Sequence, residues 1–192
     1  MKLAVAPLTV DRWPDLEAVF GARGCAVARG CWCMYYRRSG SRTALPPGTT
    51  PAQASRAELR ALVESGVEPG LIGYRGAEPV GWISLGPREA YARLRRSPVM
   101  KPVDDRPVWS VVCFVVPSPQ RGQGVARALL DGAIAHARRR GAELLEAYPV
   151  DAPGPARDDA LWFGVKSMFD AAGFEEVARR TPQRPVMRLR LA

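Results

Sequence analysis

The sequence contains no run of 18 apolar residues, so no stretch of it reads as a transmembrane helix. Lysine is scarce: only Lys2, Lys101 and Lys166 occur among the 28 basic residues, and the rest are Arg. Histidine is nearly absent, with His136 the single one. The C-x-x-C spacing of zinc sites and redox motifs is missing, because Cys31 and Cys33 flank one Trp. Cys25 and His136 would bring the ligand number to four, but nothing local pairs them, and no metal site is expected. A secretory segment is wanting too. Asp11 and Arg12 interrupt the short apolar start, which predicts a cytoplasmic protein whose four Cys stay reduced.

A chain of 192 residues is enough for one sizeable core, and a single domain over 1–192 is expected. Apolar residues make up 47% and charged residues 24%, a balance that excludes disorder along the whole chain. The formal charge is 28 minus 19, or +9. Arginine in this excess suits bidentate contact with phosphate or carboxylate. The charge alone leaves nucleic acid, a membrane surface or a phosphorylated cofactor open. The basic residues are scattered, with small clusters at 93–96 and 138–140, as on a solvated surface. Neither nucleic acid nor a membrane is therefore expected as partner.

The patterning predicts strands at 3–6, 71–74, 79–85, 109–116, 144–150, 175–179 and 186–191. Helices are predicted at 13–20, from the capping box Thr50-Pro51-Ala52-Gln53 to about Ser65, at 122–140 and at 161–172. Residues 21–50 and 87–107 read as irregular, and 151–159 as a Pro/Gly loop. Residues 75–78 read as a hairpin turn. Strands and helices alternate only in the second half, which suggests one α/β domain with a mixed sheet and helices on both faces.

The segment richest in chemistry is 114–127, FVVPSPQRGQGVAR. An apolar strand enters a short loop, and a Gly-containing turn opens an amphipathic helix. The first N–H groups of a helix have no intrahelical partner, and its dipole adds positive potential. Gly122 and Gly124 remove side chains where an anion must touch backbone, and Arg121 and Arg127 add charge. A P-loop is excluded by the missing Lys-Ser/Thr end, and a Rossmann start by the missing G-x-G-x-x-G after a first strand. From the residues alone, an anion site and a Gly-rich helix start without ligand stand level.

The same segment resembles motif A of the GNAT N-acetyltransferase superfamily, Q/R-x-x-G-x-G/A, through Arg121, Gly124 and Ala126. The five-residue step from Val116 to Arg121 and the helix end at Gly173-Phe174 fit as well. The element order is similar over nearly the whole chain, and the GCWCMYYR segment at 30–37 looks like a bacterial subgroup. The resemblance implies a mostly antiparallel mixed sheet with splayed fourth and fifth strands, and acetyl-CoA as cofactor. It implies that backbone N–H groups of Gly122, Gln123, Gly124, Val125, Ala126 and Arg127, with Arg121 beside them, hold the pyrophosphate. Phe114, Val115 and Val116 would pair with the pantetheine arm, and a backbone N–H near Val115 or Val116 would serve the oxyanion. The implied activity is acetyl transfer to a primary amine, expected on a small molecule. A protein N-acetyltransferase and a non-catalytic acyl-CoA-binding module are the alternatives, and a homodimer is compatible with either.

The chain departs from the family pattern at both usual acid and base positions. Phe169 stands where many members carry Tyr, and Ser110 is nearest to the early Glu of the fourth strand. Tyr148 and Asp151, at the end of the fifth strand, are the replacement candidates for donating and accepting a proton. Cys113 and His136 are expected to pack. Trp32, Tyr35 and Tyr36 either line the acceptor pocket or pack beneath a loop; the sequence leaves both readings open. Arg88, Tyr91 and Arg93 belong to the loop before the fourth strand and read as a solvated face.

Overall fold

The computed structural model describes residues 3–40, 45–151 and 162–191. Strand β1 (Ala4–Pro7) leads into helix α1 (Trp13–Gly21), then helices α2 (Ala26–Cys31) and α3 (Pro51–Glu64). Strands β2 (Gly70–Arg75), β3 (Glu78–Pro87) and β4 (Trp109–Val115) form an antiparallel meander. Helix α4 (Val125–Arg139) carries the chain to β5 (Leu144–Ala147). Helix α5 (Lys166–Asp170) precedes the closing hairpin of β6 (Glu175–Thr181) and β7 (Arg184–Arg190). The sheet has seven strands in the order β1-β2-β3-β4-β5-β7-β6. Only the β4–β5 pairing is parallel, which is the mixed, mostly antiparallel sheet expected.

Two apolar layers cover the sheet. On one face α4 sets Val125, Leu129, Leu130 and Ala133 against Leu71, Ile83, Val111 and Leu145. On the other, Leu16 and Phe20 of α1 and Leu59 of α3 pack over Ile72, Trp82 and Val115. Helix α3 begins at the expected box: the Gln53 N–H donates to Thr50 Oγ1 at 3.2 Å, and the Thr50 N–H donates to Gln53 Oε1 at 2.8 Å.

Three elements differ from the sequence reading. Helix α2 lies inside the stretch expected to be irregular; six residues are too few for periodicity to declare itself. It ends where Trp32 and Cys33 adopt left-handed φ of 50° and 52°. Strand β5 stops at Ala147, three residues short, because Pro149 has no N–H to extend the ladder. Val150 bridges Val165 instead. The last helix is confined to Lys166–Asp170, and Gly164 at φ 74° marks the turn before it. The expected start of that helix at Leu161, and most of the 151–159 loop, lie outside the described residues. In the 87–107 segment Tyr91 and Leu94 are fully buried, and Arg88 is buried with them, so that face is not solvated throughout.

The early end of β5 parts the two central strands. Pairing joins Trp109 to Leu145, Ser110 to Glu146 and Val111 to Ala147, and then stops. Beyond Val111, β4 keeps only its β3 neighbour, through a bulge opposite Ser84 and Leu85. Glu146 sits at the join and is fully buried. Arg188 Nε donates to its Oε2 at 2.8 Å, and the Tyr148 hydroxyl donates to its Oε1 at 2.7 Å. Arg88 Nη1 lies 3.4 Å from Oε1. Asp104 takes the outer face of Arg188 at 2.6 Å.

His136 packs on α4 beside the Trp109 ring, with Nε2 3.6 Å from a Glu68 carboxylate oxygen. Burial holds its imidazole below the ordinary value despite Glu68. The unfolded chain takes up that proton near about pH 6.5, the folded chain only lower, so stability rises with pH through the window. The melting temperature is expected to fall between about pH 7.5 and about pH 5, and to fall less in His136→Gln. Equal falls in calorimetric scans of both proteins would remove His136 from the acid response.

Candidate functional site

The parted strands open a cleft of about 930 Å³. One wall is Val112–Val116 of and just beyond β4; the opposite wall is Trp162, Gly164, Val165 and Met168. The floor at one end is the turn into α4. There Ser118–Gln120 make a 3-10 turn, Arg121 is extended, and Gly122 and Gly124 take φ of 70° and 77°. A side chain at either glycine would stand in a left-handed backbone, which L residues occupy only at a cost. No side chain caps the N-terminus of α4. Nothing lies within 4 Å of a Cβ built at Gly122 or Gly124. The turn therefore leaves open space beside both glycines at the positive end of a helix, an arrangement that suits an anion.

The two arginines of this turn brace it. Arg121 Nε donates to the Val116 carbonyl at 3.1 Å and Nη2 to the Gly24 carbonyl at 3.1 Å. The Ser118 N–H donates to the Arg23 carbonyl at 2.9 Å, so the segment before α2 is tied to the turn twice. Arg127 Nη2 donates to the Ala171 carbonyl at 3.0 Å, which ties α4 to the end of α5. Both guanidinium groups still border the cleft and supply positive potential.

Of the cofactor residues named from sequence, Phe114, Val115, Val116, Arg121, Gly122, Gly124, Val125, Ala126 and Arg127 border the cleft. The Gln123 side chain turns back to the Pro119 carbonyl. Tyr35 and Tyr36 also border the cleft. Tyr36 meets the Phe163 ring edge-on at 5.6 Å, and burial pushes its phenol up to about 12.

The remaining candidates lie elsewhere. Trp32 is core: it stacks on Trp13 at 5.7 Å and meets Phe20 at 5.0 Å, so of its two readings the packing one fits and its place as a substrate-binding candidate does not. Tyr148 does not border the cleft either. Its hydroxyl is buried between Glu146 at 2.7 Å and Ser110 at 3.0 Å, and burial pushes the phenol well up. Asp151 is paired with Arg179 Nη2 at 2.7 Å. Neither has the position expected of a proton-transfer group. Phe169 is fully buried against Phe114 and Phe174, so the usual acid position is core here.

Cys113 is expected from sequence only to pack, whereas the segment that holds Cys31 and Cys33 is open there between packing and lining the pocket. Cys25, Cys31, Cys33 and Cys113 all border this one cleft. The wall carries no Asp, Glu or His among the described residues. No cluster of His, Cys, Asp or Glu suited to a metal ion occurs among them either.

A parted β4 and β5 leading to an uncapped, glycine-opened helix is the arrangement shared with the family that the chain matches. The acetyltransferase (GNAT) family model covers residues 41–157. The chain belongs to the GNAT acetyltransferase family. As such it is an acetyl-CoA-dependent acyltransferase. The Salmonella typhimurium protein yncA, solved with its cofactor acetyl-CoA, is 16% identical, with a TM-score of 0.55, covering 100% of this chain and 95% of that one. A polyamine N-acetyltransferase of Drosophila melanogaster is 12% identical, with a TM-score of 0.54, covering 98% and 100%. A ribosomal-protein-alanine N-acetyltransferase of Brucella melitensis is 19% identical, with a TM-score of 0.54, covering 97% and 99%. At these identities the likeness is one of fold. No curated protein matches the chain. No helix among the described residues is long and apolar enough to cross a membrane.

The cleft suits acetyl-CoA on its own terms. It offers open space beside Gly122 and Gly124 at one end and, beyond Val111, a β4 edge that β5 does not pair. Apolar walls run between the two.

Proposed function

We propose that this GNAT enzyme acetylates a primary amine carried by a small molecule. The pyrophosphate sits on the backbone N–H groups from Gly122 to Arg127. The pantetheine amides pair along Phe114, Val115 and Val116, beyond the last β5 pairing, with the Val116 carbonyl already taken by Arg121. The bound thioester supplies an activated acetyl group. A β4 N–H near Val115 or Val116 stabilises the oxyanion that forms on its carbonyl. Holding acetyl and amine together in the cleft supplies much of the acceleration. Water is kept away by Phe114, Met168 and Trp162.

The observation that carries this reading is the parting of β4 from β5 directly upstream of the glycine cradle. The acceptor end supports a compact amine: the rings of Tyr35, Tyr36 and Trp162 crowd it.

Titration calorimetry with acetyl-CoA and a thiol-release assay over a panel of amines test the reading. Acetyl-CoA is expected to bind at micromolar affinity or tighter, about −8 kcal/mol. Small amines are expected to release thiol faster than peptides bearing a free N-terminus or Lys. Peptides ahead of every small amine would make the chain a protein N-acetyltransferase. Binding without thiol release would leave an acyl-CoA-binding module.

A further inference from the structure

A second recess, of about 420 Å³, adjoins the cleft. Val27, Cys31 and Tyr35 line both, so the two spaces meet at these three side chains. Val27 and Tyr35 are also 62% and 50% exposed, although both are large and apolar. Apolar side chains left open where two hollows meet are the kind that a bound molecule covers. The Tyr35 ring is held at that junction. It meets the Tyr36 ring edge-on at 4.9 Å, and the Arg93 guanidinium carbon lies 4.2 Å from its centroid.

Beyond Tyr35 the recess carries charge of one sign. Arg38 and Arg93 are its charged lining residues among the described residues, with Ser55 between hydroxyl and backbone duties beside them. The two arginines differ in what they already hold. Arg38 is spent: its Nε and Nη2 donate to Glu58 Oε2 at 2.8 and 2.6 Å, and Nη2 also donates to Ser55 Oγ at 2.7 Å. Arg93 has no carboxylate partner among the described residues. Its Nη2 donates to the Gly40 carbonyl at 2.8 Å, while its Nε is buried with no acceptor there. A buried donor with nothing to donate to is costly, and native structures leave few of them. The backbone fixes this arginine as well. The Arg93 N–H donates to the Tyr36 carbonyl at 3.1 Å, which ties it to the segment that carries Tyr35. Arg93 is thus a guanidinium placed in advance, with a donor to spare, at the far side of the acceptor end.

The charge balance selects the anion. Arg38 and Glu58 cancel, which leaves the recess the single positive charge of Arg93. A carboxylate brings one negative charge and two coplanar oxygens, the match that a guanidinium makes. A phosphate monoester brings about −1.5 to −2 at pH 7, and its excess would stand near Glu58 without a partner.

We propose that the acceptor is a primary amine that also carries a carboxylate, with the amine in the cleft and the carboxylate on Arg93 beyond Tyr35. The proposal rests on the small-molecule reading above and adds the chemical class. Arg93 is a specificity residue in this scheme: it holds the far end of the acceptor and takes no part in bond making.

The test is the thiol-release assay with glycine, β-alanine, γ-aminobutanoate and ε-aminohexanoate, each beside its own carboxamide. At least one acid is expected to exceed its carboxamide tenfold or more in kcat/KM, about 1.4 kcal/mol, through a lower KM. Arg93→Met removes the charge and keeps the bulk, and is expected to cut that preference at least tenfold. Arg93→Lys should keep part of it. Comparing the acid-to-amide ratio between parent and variant cancels differences in amine basicity, and a general loss of fold does not move it. Acids no better than their carboxamides in the parent overturn the proposal. An unchanged ratio in Arg93→Met overturns it too, and leaves Arg93 a brace between Tyr35 and Gly40. Phosphoethanolamine ahead of every carboxylate overturns it in favour of a phosphorylated amine. The small-molecule reading fails separately, when acetyl-CoA binds and no small amine releases thiol. The recess is then read by calorimetry on the CoA complex. The N-acetylated acids are expected to bind it and to lose tenfold or more in Arg93→Met; equal binding by both proteins, or none by the parent, overturns the proposal on that arm.

Discussion

Gly124→Glu is expected to abolish CoA binding. Gly124 is the residue before the first turn of α4, at φ 77°, with no side chain capping the helix. A Cβ there meets nothing within 4 Å, so a longer side chain projects into open space at the helix end. The carboxylate would settle on the same N–H groups that the pyrophosphate needs, since an anion at a helix N-terminus is favoured. It would also repel the nucleotide. The left-handed backbone costs about 1–2 kcal/mol with any L side chain, so the variant is expected to melt lower yet fold. Calorimetry is expected to show at least a hundredfold loss of CoA affinity, about 2.7 kcal/mol. Gly124→Asn carries no charge and tolerates this backbone better, and should lose less. A folded Gly124→Glu that binds CoA like the parent would move the pyrophosphate elsewhere.

Glu146→Ala is expected to be the most destabilising single change at the sheet join. Glu146 is fully buried on β5, level with Ser110 on β4 and Arg188 on β7. Its two oxygens serve Arg188, Arg88 and the Tyr148 hydroxyl. Deleting the carboxylate leaves Arg88 buried without an acid and Arg188 with Asp104 alone. Breaking a buried pair by removing one partner costs about 3–5 kcal/mol. That is a large part of the about 5–15 kcal/mol typical of a folded domain. Denaturant titration should show it as a lower midpoint at unchanged slope. Glu146→Gln keeps the shape and an acceptor for Tyr148, and should cost less. A loss under about 1 kcal/mol in Glu146→Ala would mean that apolar packing alone holds β5 between its neighbours.

What was legible in the sequence was local. The Thr50 box, the glycines at 122 and 124 and the continuous apolar run of β4 each state their structure within a few residues. Residues 114–127 therefore read correctly as strand, turn and helix before any fold was known. Pro149 was legible too, and its missing N–H accounts for the short β5, but an apolar run drew the expected strand across it. The misplacements came from distant partners. Glu146 stands in an apolar stretch and is tolerable only because Arg188 arrives from β7 and Arg88 from the turn after β3. Tyr148 then spends its hydroxyl on Glu146 rather than on a substrate. Trp32 went to the core because Trp13 and Phe20 left a slot for its ring. Cys33 and Cys113 are 80 positions apart, and no periodicity announces that they border one cleft.

The placement of β7 has a consequence for how the chain is made. The strand nearest the C-terminus is not at the sheet's edge; it lies between β5 and β6. During vectorial synthesis β1 to β4 pair in the order they emerge, each beside the one before it. β5 then offers an edge that β6 cannot use, because β6 pairs only with β7. Until residues 184–190 are available, the Glu146 carboxylate lacks Arg188. A nascent chain arrested before them is a five-stranded sheet with an open β5 edge, the kind of intermediate that is prone to aggregate.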